Sequence, residues 1–169
     1  MPHRPPIPVR EMQQRDARSF LEVHRRSVRG SPTRDYARRI IEAWAPLPIS
    51  EAEVEAVASN AEGELRLVAE DAGGIVGIAA LSLPSAELTA CYVSPEASGK
   101  GVGTALLAAL ETRAVAAGLT ALETRSSLTA EPFYGARGWQ VVERGEHVLS
   151  PGIAMAAVTM RKELGPGGV

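Results

Sequence analysis

The chain has 169 residues, 45% of them hydrophobic, and a formal net charge of −2, the profile of one ordinary globular domain with room for a core. No apolar run approaches the roughly 20 residues that cross a bilayer, and Met1-Pro2-His3-Arg4-Pro5-Pro6 lacks the apolar stretch of a secretory signal. The cytoplasm and no membrane partner are therefore expected. A single cysteine, Cys91, and three scattered histidines exclude a disulfide framework and a cysteine-based zinc site, so no metal is expected.

Charge is unevenly spread. Residues 1–40 hold ten Arg against four Asp or Glu, a net of +6, and residues 41–169 hold eight Lys or Arg against sixteen acidic residues, a net of −8. The Arg-rich start reads as a solvated helix face. Basic residues are not interleaved with aromatics as single-stranded nucleic acid requires, so no nucleic-acid partner is expected.

Along the chain, Ile7 to Met12 reads as a short edge strand, because prolines are tolerated at strand starts. Residues 14–29 then place Ala17, Phe20, Leu21, His24 and Val28 on one helical face. Ser31-Pro32-Thr33 breaks this helix and caps a second, with Tyr36, Ile40, Ile41 and Trp44 as its apolar stripe, ended by Pro46 and Pro48. Ser50 with Glu53 forms a capping box for a third helix, 51–60.

Strands follow at 64–70, with Leu65, Leu67 and Ala69 alternating onto one face, at 75–83 after the turn Asp71-Ala72-Gly73-Gly74, and at Glu87–Val93. A long helix opens after the glycine turn and ends at Gly118. A strand at 119–124, a helix at 129–138 and strands at 139–144 and 156–162 complete the order. The pattern is a single mixed α/β sheet domain over residues 7–163, with residues 1–6 and 164–169 as tails.

The most informative segment runs from Val93 through Ser98-Gly99-Lys100-Gly101-Val102-Gly103-Thr104. A strand ends, a glycine-rich turn follows, and an amphipathic helix begins. Unpaired N–H groups and the helix dipole converge there, as a phosphate requires. Glycine suits such a turn because a Cβ would hold a phosphate away from the backbone, and because some positions need φ > 0. A Walker A loop is excluded, since Lys100 is followed by Gly101 and Ser94 stands where its first glycine belongs. The dinucleotide fingerprint is half matched, with Thr104 at its third glycine, and the strand ends too far upstream of Gly99.

What remains resembles the GNAT superfamily of N-acetyltransferases. Tyr92-Val93-Ser94-Pro95 resembles the family's strand end, and Gly101 and Gly103 match the two small positions of its acyl-CoA loop; Ser98 departs from the usual Gln or Arg. Phe133-Tyr134-Gly135 followed by Gly138-Trp139 resembles the later family motif. Tyr36 and Trp44-Ala45-Pro46 are similar to segments of bacterial members without an assigned substrate.

The resemblance implies a GNAT-like fold, N-terminal helices over a mostly antiparallel sheet, and acetyl transfer from acetyl-CoA to a primary amine of a small molecule or peptide. It makes Tyr134 the acid that protonates the departing thiolate, or a packing residue. It places Cys91, Tyr92 and Val93 along the pantetheine arm, Ser98, Gly99, Lys100, Gly101, Val102, Gly103 and Thr104 around the phosphates, and Ser127 and Phe133 nearby. Lys100 reads either as a phosphate contact or as solvated, Ser127 either as a CoA contact or as a helix cap, and Cys91 as a small core group.

Glu87, Thr89, Cys91 and Val93 are expected on one strand face. Glu87 is the first candidate for the general base, with His24 and His147 as others. The acceptor is expected between the first helices and the splayed strands, near His24, Tyr36, Trp44 and the segment after His147. A non-catalytic acyl-CoA sensor is the alternative reading. A homodimer stays open, since terminal strands in this fold often meet a partner.

Overall fold

The computed structural model describes residues 5–30 and 34–165. The expected helix break at Ser31-Pro32-Thr33 lies outside them. Seven strands form one sheet: β1 (Val9–Glu11), β2 (Leu65–Asp71), β3 (Gly74–Ser82), β4 (Glu87–Val93), β5 (Ala121–Ser127), β6 (Gln140–Leu149) and β7 (Ile153–Glu163). Their spatial order is β1-β2-β3-β4-β5-β7-β6. The helices are α1 (Ala17–Gly30), α2 (Arg38–Trp44), α3 (Glu51–Ser59), α4 (Val102–Ala116) and α5 (Glu131–Gly135).

Helices cover both faces of the sheet centre. On one side Leu106, Leu107 and Leu110 of α4 pack on Leu67, Ala79, Leu81, Leu88 and Leu122, each buried leucine stabilising by about 2 kcal/mol. On the other, Phe20 and Val23 of α1 pack on Val68, Ile78 and Ala80. Leu67, Val68 and Ala69 are consequently all buried. Leu65, Leu67 and Ala69 share the α4 face as expected, and Val68 is buried on the α1 face, so β2 is covered on both sides.

Every strand pair is antiparallel except β4 with β5. Those two pair only at Glu87↔Glu123 and Leu88↔Thr124 and then diverge. Beyond that point β4 keeps its β3 partner, and β5 pairs with β7 as far as Ser127↔Ala157. The divergence leaves a cleft in the middle of the sheet, with β4 backbone groups on its edge.

A bulge corrects the expected face of β4. Ala80 pairs with Ala90 but Leu81 pairs with Leu88, which leaves Thr89 as the extra residue. Leu88 therefore packs with Cys91 and Val93 on the α4 side, and Ala90 and Tyr92 meet α1. Glu87, one residue before Leu88, does not share the face of Cys91 and Val93.

The Arg-rich face of α1 is not uniformly solvated. Arg25 is 6% exposed; it donates from Nε to the Pro46 carbonyl at 2.9 Å and from Nη1 to His24 Nδ1 at 3.0 Å, and pairs with Glu53. Arg29 Nε donates to the Ala45 carbonyl at 2.8 Å. These bonds tie α1 to the segment joining α2 and α3, whose Ser50–Glu53 capping box forms as expected.

Candidate active site

Two cavities meet at the split between β4 and β5, and Cys91 borders both. The first is a groove of 350 Å³ at the start of α4, lined by the Ser98–Thr104 turn except Lys100, with Val93, Phe133 and Arg137. Gly99 and Gly101 hold φ of 73° and 85°, a region that costs any Cβ-bearing residue about 1 kcal/mol or more. Gly101 is also the N-cap of α4 and supplies no capping side chain. The N–H groups of the first turn are thus free for an anion.

Gly103 is needed for a different reason. A Cβ there would lie 3.1 Å from the Phe133 ring, so the glycine seats α5 against α4 rather than clearing space for a phosphate. Lys100 is exposed and lies outside the groove lining.

Arg137 is a groove residue that the sequence reading missed. Its guanidinium stacks 3.9 Å from the Phe133 ring centroid, donates to Thr104 Oγ1 at 2.9 and 2.7 Å, and donates to the Phe133 carbonyl at 2.7 Å. It pairs with no carboxylate among the described residues. The result is a fixed cation beside an uncapped helix N-terminus. Its four-residue spacing from Phe133 was the available signal.

The second cavity, 290 Å³, opens on the α1–α2 side of the split. Tyr134, 5% exposed, lines it together with Cys91. Burial drives the Tyr134 phenol well above its ordinary range, Cys91 and Tyr92 add to this, and the Thr124 hydroxyl acts in the opposite direction. The phenol keeps its proton at neutral pH. Burial likewise pushes the Cys91 thiol up to about 12, which leaves it a protonated, non-nucleophilic group.

Trp44, Tyr92 and Met155 give this cavity an aromatic and thioether wall, and Glu87, Arg125 and His147 line its rim. The Tyr92 ring lies edge-on to His24 at 4.7 Å and to Trp44 at 6.3 Å. Tyr36 takes a structural role: its hydroxyl donates to the Ala156 carbonyl at 2.6 Å and accepts from the Leu128 N–H at 2.7 Å. Ser127 Oγ accepts from the Ala130 N–H at 3.1 Å in the turn before α5, whose N-cap is Ala130 without a side-chain cap, and Ser127 also lines the cavity.

The candidate bases separate on hydrogen bonding. A guanidinium only donates, so His24 Nδ1 accepts from Arg25 and His147 Nδ1 accepts from Arg125 at 2.8 Å. Burial, then Arg25, lowers His24 to about 4; burial, then Arg125, lowers His147. Both imidazoles are neutral with the proton-accepting nitrogen already occupied. Glu87 is the carboxylate that lines the cavity. Thr89 donates instead to Glu64.

Among the described residues no group of three or more His, Cys, Asp or Glu could hold a metal, and no helix is long and apolar enough to cross a membrane.

Residues 32–164 match the family model of the GNAT acetyltransferase domain. A GCN5-related N-acetyltransferase from Rhodopseudomonas palustris is 32% identical, with a TM-score of 0.85 over 94% of this chain and 96% of that one. A phosphinothricin acetyltransferase from Sinorhizobium meliloti, solved with acetyl-CoA, is 26% identical with a TM-score of 0.70 over 94% and 89%. The PaiA N-acetyltransferase from Thermoplasma acidophilum, solved with coenzyme A, shares the fold at 22% identity and a TM-score of 0.73 over 93% and 98%. No curated protein sequence matches. The family model and the 32% identity along nearly the whole chain, on top of the split sheet and the glycine turn, establish that this chain belongs to the GNAT family of acetyltransferases.

Proposed function

We propose that residues 7–163 form one catalytic domain that transfers the acetyl group of acetyl-CoA to a primary amine by direct attack. The observation that carries this reading is the meeting of two cavities at Cys91: a groove suited to an anion on one side, and on the other an amine-sized cavity that Tyr134 lines. The free β4 edge supports the pantetheine arm as an added strand. The uncapped α4 N-terminus and Arg137 suit the phosphates, so Arg137, reaching across from beyond α5, supplies positive charge beside a loop where Ser98 has none.

In this reaction the amine nitrogen bonds to the acetyl carbon, the carbon–sulfur bond breaks, and the amine gives up a proton. The ammonium form cannot attack, because its lone pair is taken by that proton. Glu87 is the cavity carboxylate suited to receive it, directly or through water. Tyr134 donates its phenolic proton to the departing sulfur and recovers one from solvent. A sensor without chemistry requires no second cavity, and the room beside Tyr134 supports transfer over sensing.

The test is acetyl-CoA turnover against a panel of primary amines, with thiol release and N-acetyl product followed together. Amine-dependent release of one thiol per acetylated amine is expected. CoA binding without turnover on any amine would overturn the reading in favour of a sensor.

A further inference from the structure

We propose that the rim of the acceptor cavity is a carboxylate-binding subsite built on Arg125, so that the acceptor is a small aminocarboxylate. The inference rests on the amine-acetylation reading and adds the chemical class of the acceptor.

Arginines over most of this molecule meet carboxylates: Arg10 with Asp16, Arg25 with Glu53, Arg66 with Glu64, and Arg144 with Glu131. Arg125 differs. It lines the acceptor cavity and forms no ion pair among the described residues. Its partner is His147 Nδ1, 2.8 Å from Nη1. A neutral imidazole fixes one end of the guanidinium without cancelling its charge, and the remaining N–H donors form the flat fork that matches a carboxylate.

The support for Arg125 comes from two strands. Arg125 lies on β5, opposite Thr159 of β7, and His147 on β6, opposite Met155 of β7. The outer hairpin thus carries the imidazole that orients a side chain of the inner strand. Arg125 also follows Thr124, the residue whose hydroxyl influences the Tyr134 phenol. Thr124 and Arg125 point to opposite faces of β5, but Arg125 and Tyr134 both line the same cavity at the split, so the cation and the acid border one space.

A molecule spanning the cavity would have its amine near Tyr134 and Cys91, its apolar body against Trp44 and Met155, and its carboxylate at Arg125. Glu87 lines the same cavity and its charge is felt at His147, so it opposes a carboxylate there and the Arg125 fork has to outweigh it. A neutral amide in place of the carboxylate leaves the cation without its charge partner.

Matched aminocarboxylates and their carboxamides, with one to four carbons between amine and carboxyl, test this against wild type, Arg125→Gln and Arg125→Lys. In wild type the best carboxylate is expected to exceed its amide at least about 10-fold in kcat/KM, through KM. Arg125→Gln brings that ratio toward one, and Arg125→Lys restores part of it. KM for acetyl-CoA and the thermal midpoint report whether the variants fold and bind donor.

A wild-type preference for amides, or a ratio that survives Arg125→Gln, would overturn the subsite while leaving amine acetylation intact. If no amine is acetylated, calorimetric binding of the same pairs to the CoA-loaded protein decides separately. Arg125-dependent carboxylate binding keeps the subsite when the transfer reading has failed. Binding of neither member of any pair overturns it.

Discussion

Tyr134 and Arg137 lie three residues apart and face different halves of the site. Tyr134 is held protonated by burial, so its contribution belongs to the chemical step. Loss of a general acid costs about 10²-fold or more, and Tyr134→Phe is expected to lower kcat by that order with the donor KM changed less than about threefold. Arg137 contributes to binding. Arg137→Ala, which removes the stack on Phe133 and both bonds to Thr104, is expected to raise KM for acetyl-CoA about 10-fold with kcat nearly unchanged, given about 1.5–3 kcal/mol for a charged hydrogen bond. Steady-state kinetics separates the two. Tyr134 was legible because it stands in an ordered motif next to Phe133. Arg137 was not, since its meaning depends on a hydroxyl 33 positions away that is brought to it only when α5 docks on α4.

At the scale of elements, α4 lies so close to β3 at Gly77 that an added Cβ would come within 2.6 Å of Val102 and 2.8 Å of Leu106. Gly77→Ala is expected to destabilise by about 1–3 kcal/mol through overpacking, read as a lower urea midpoint at an unchanged slope. Arg25→Ala should cost about 1–2 kcal/mol, because it removes a buried guanidinium and its bond to the Pro46 carbonyl, while Glu53 keeps its Ser50 partners. The bounds of β4 were readable from its flanking turn and proline. Its bulge was not: the parity change at Thr89 comes from the register against β3, which no spacing within β4 records. β6 runs to Leu149 rather than residue 144 because β7 pairs along all of it. Val141, Val142 and Val148 remain exposed there, so no burial pattern marked its length. α5 is shorter than expected, at Glu131–Gly135, since its first turn waits on Pro132 and its end is turned by Gly138 at φ 90°.

The whole molecule has a predictable acid response. His24 titrates at about 4 in the fold and near 6.5 when unfolded. The unfolded chain therefore binds more protons between those values, and stability falls as pH drops from about 6.5 toward 4. Carboxylates held low by partners, Asp16 by Arg10 and Glu53 by Ser50, lose their contribution from the acid end of that window downward. His24→Phe should flatten the pH dependence of the thermal midpoint between pH 6.5 and 4.5; an undiminished slope would show that other groups carry it. The split sheet joins these scales, because it lets a strand edge, an anion groove and an acceptor cavity converge on one phenol. Single-turnover thiol release from acetyl-CoA on saturating amine, wild type against Tyr134→Phe with CoA affinity measured in parallel, tests the acid role of Tyr134 most directly. That role predicts release slowed at least about 100-fold at unchanged CoA affinity. Release at the wild-type rate in Tyr134→Phe would contradict it.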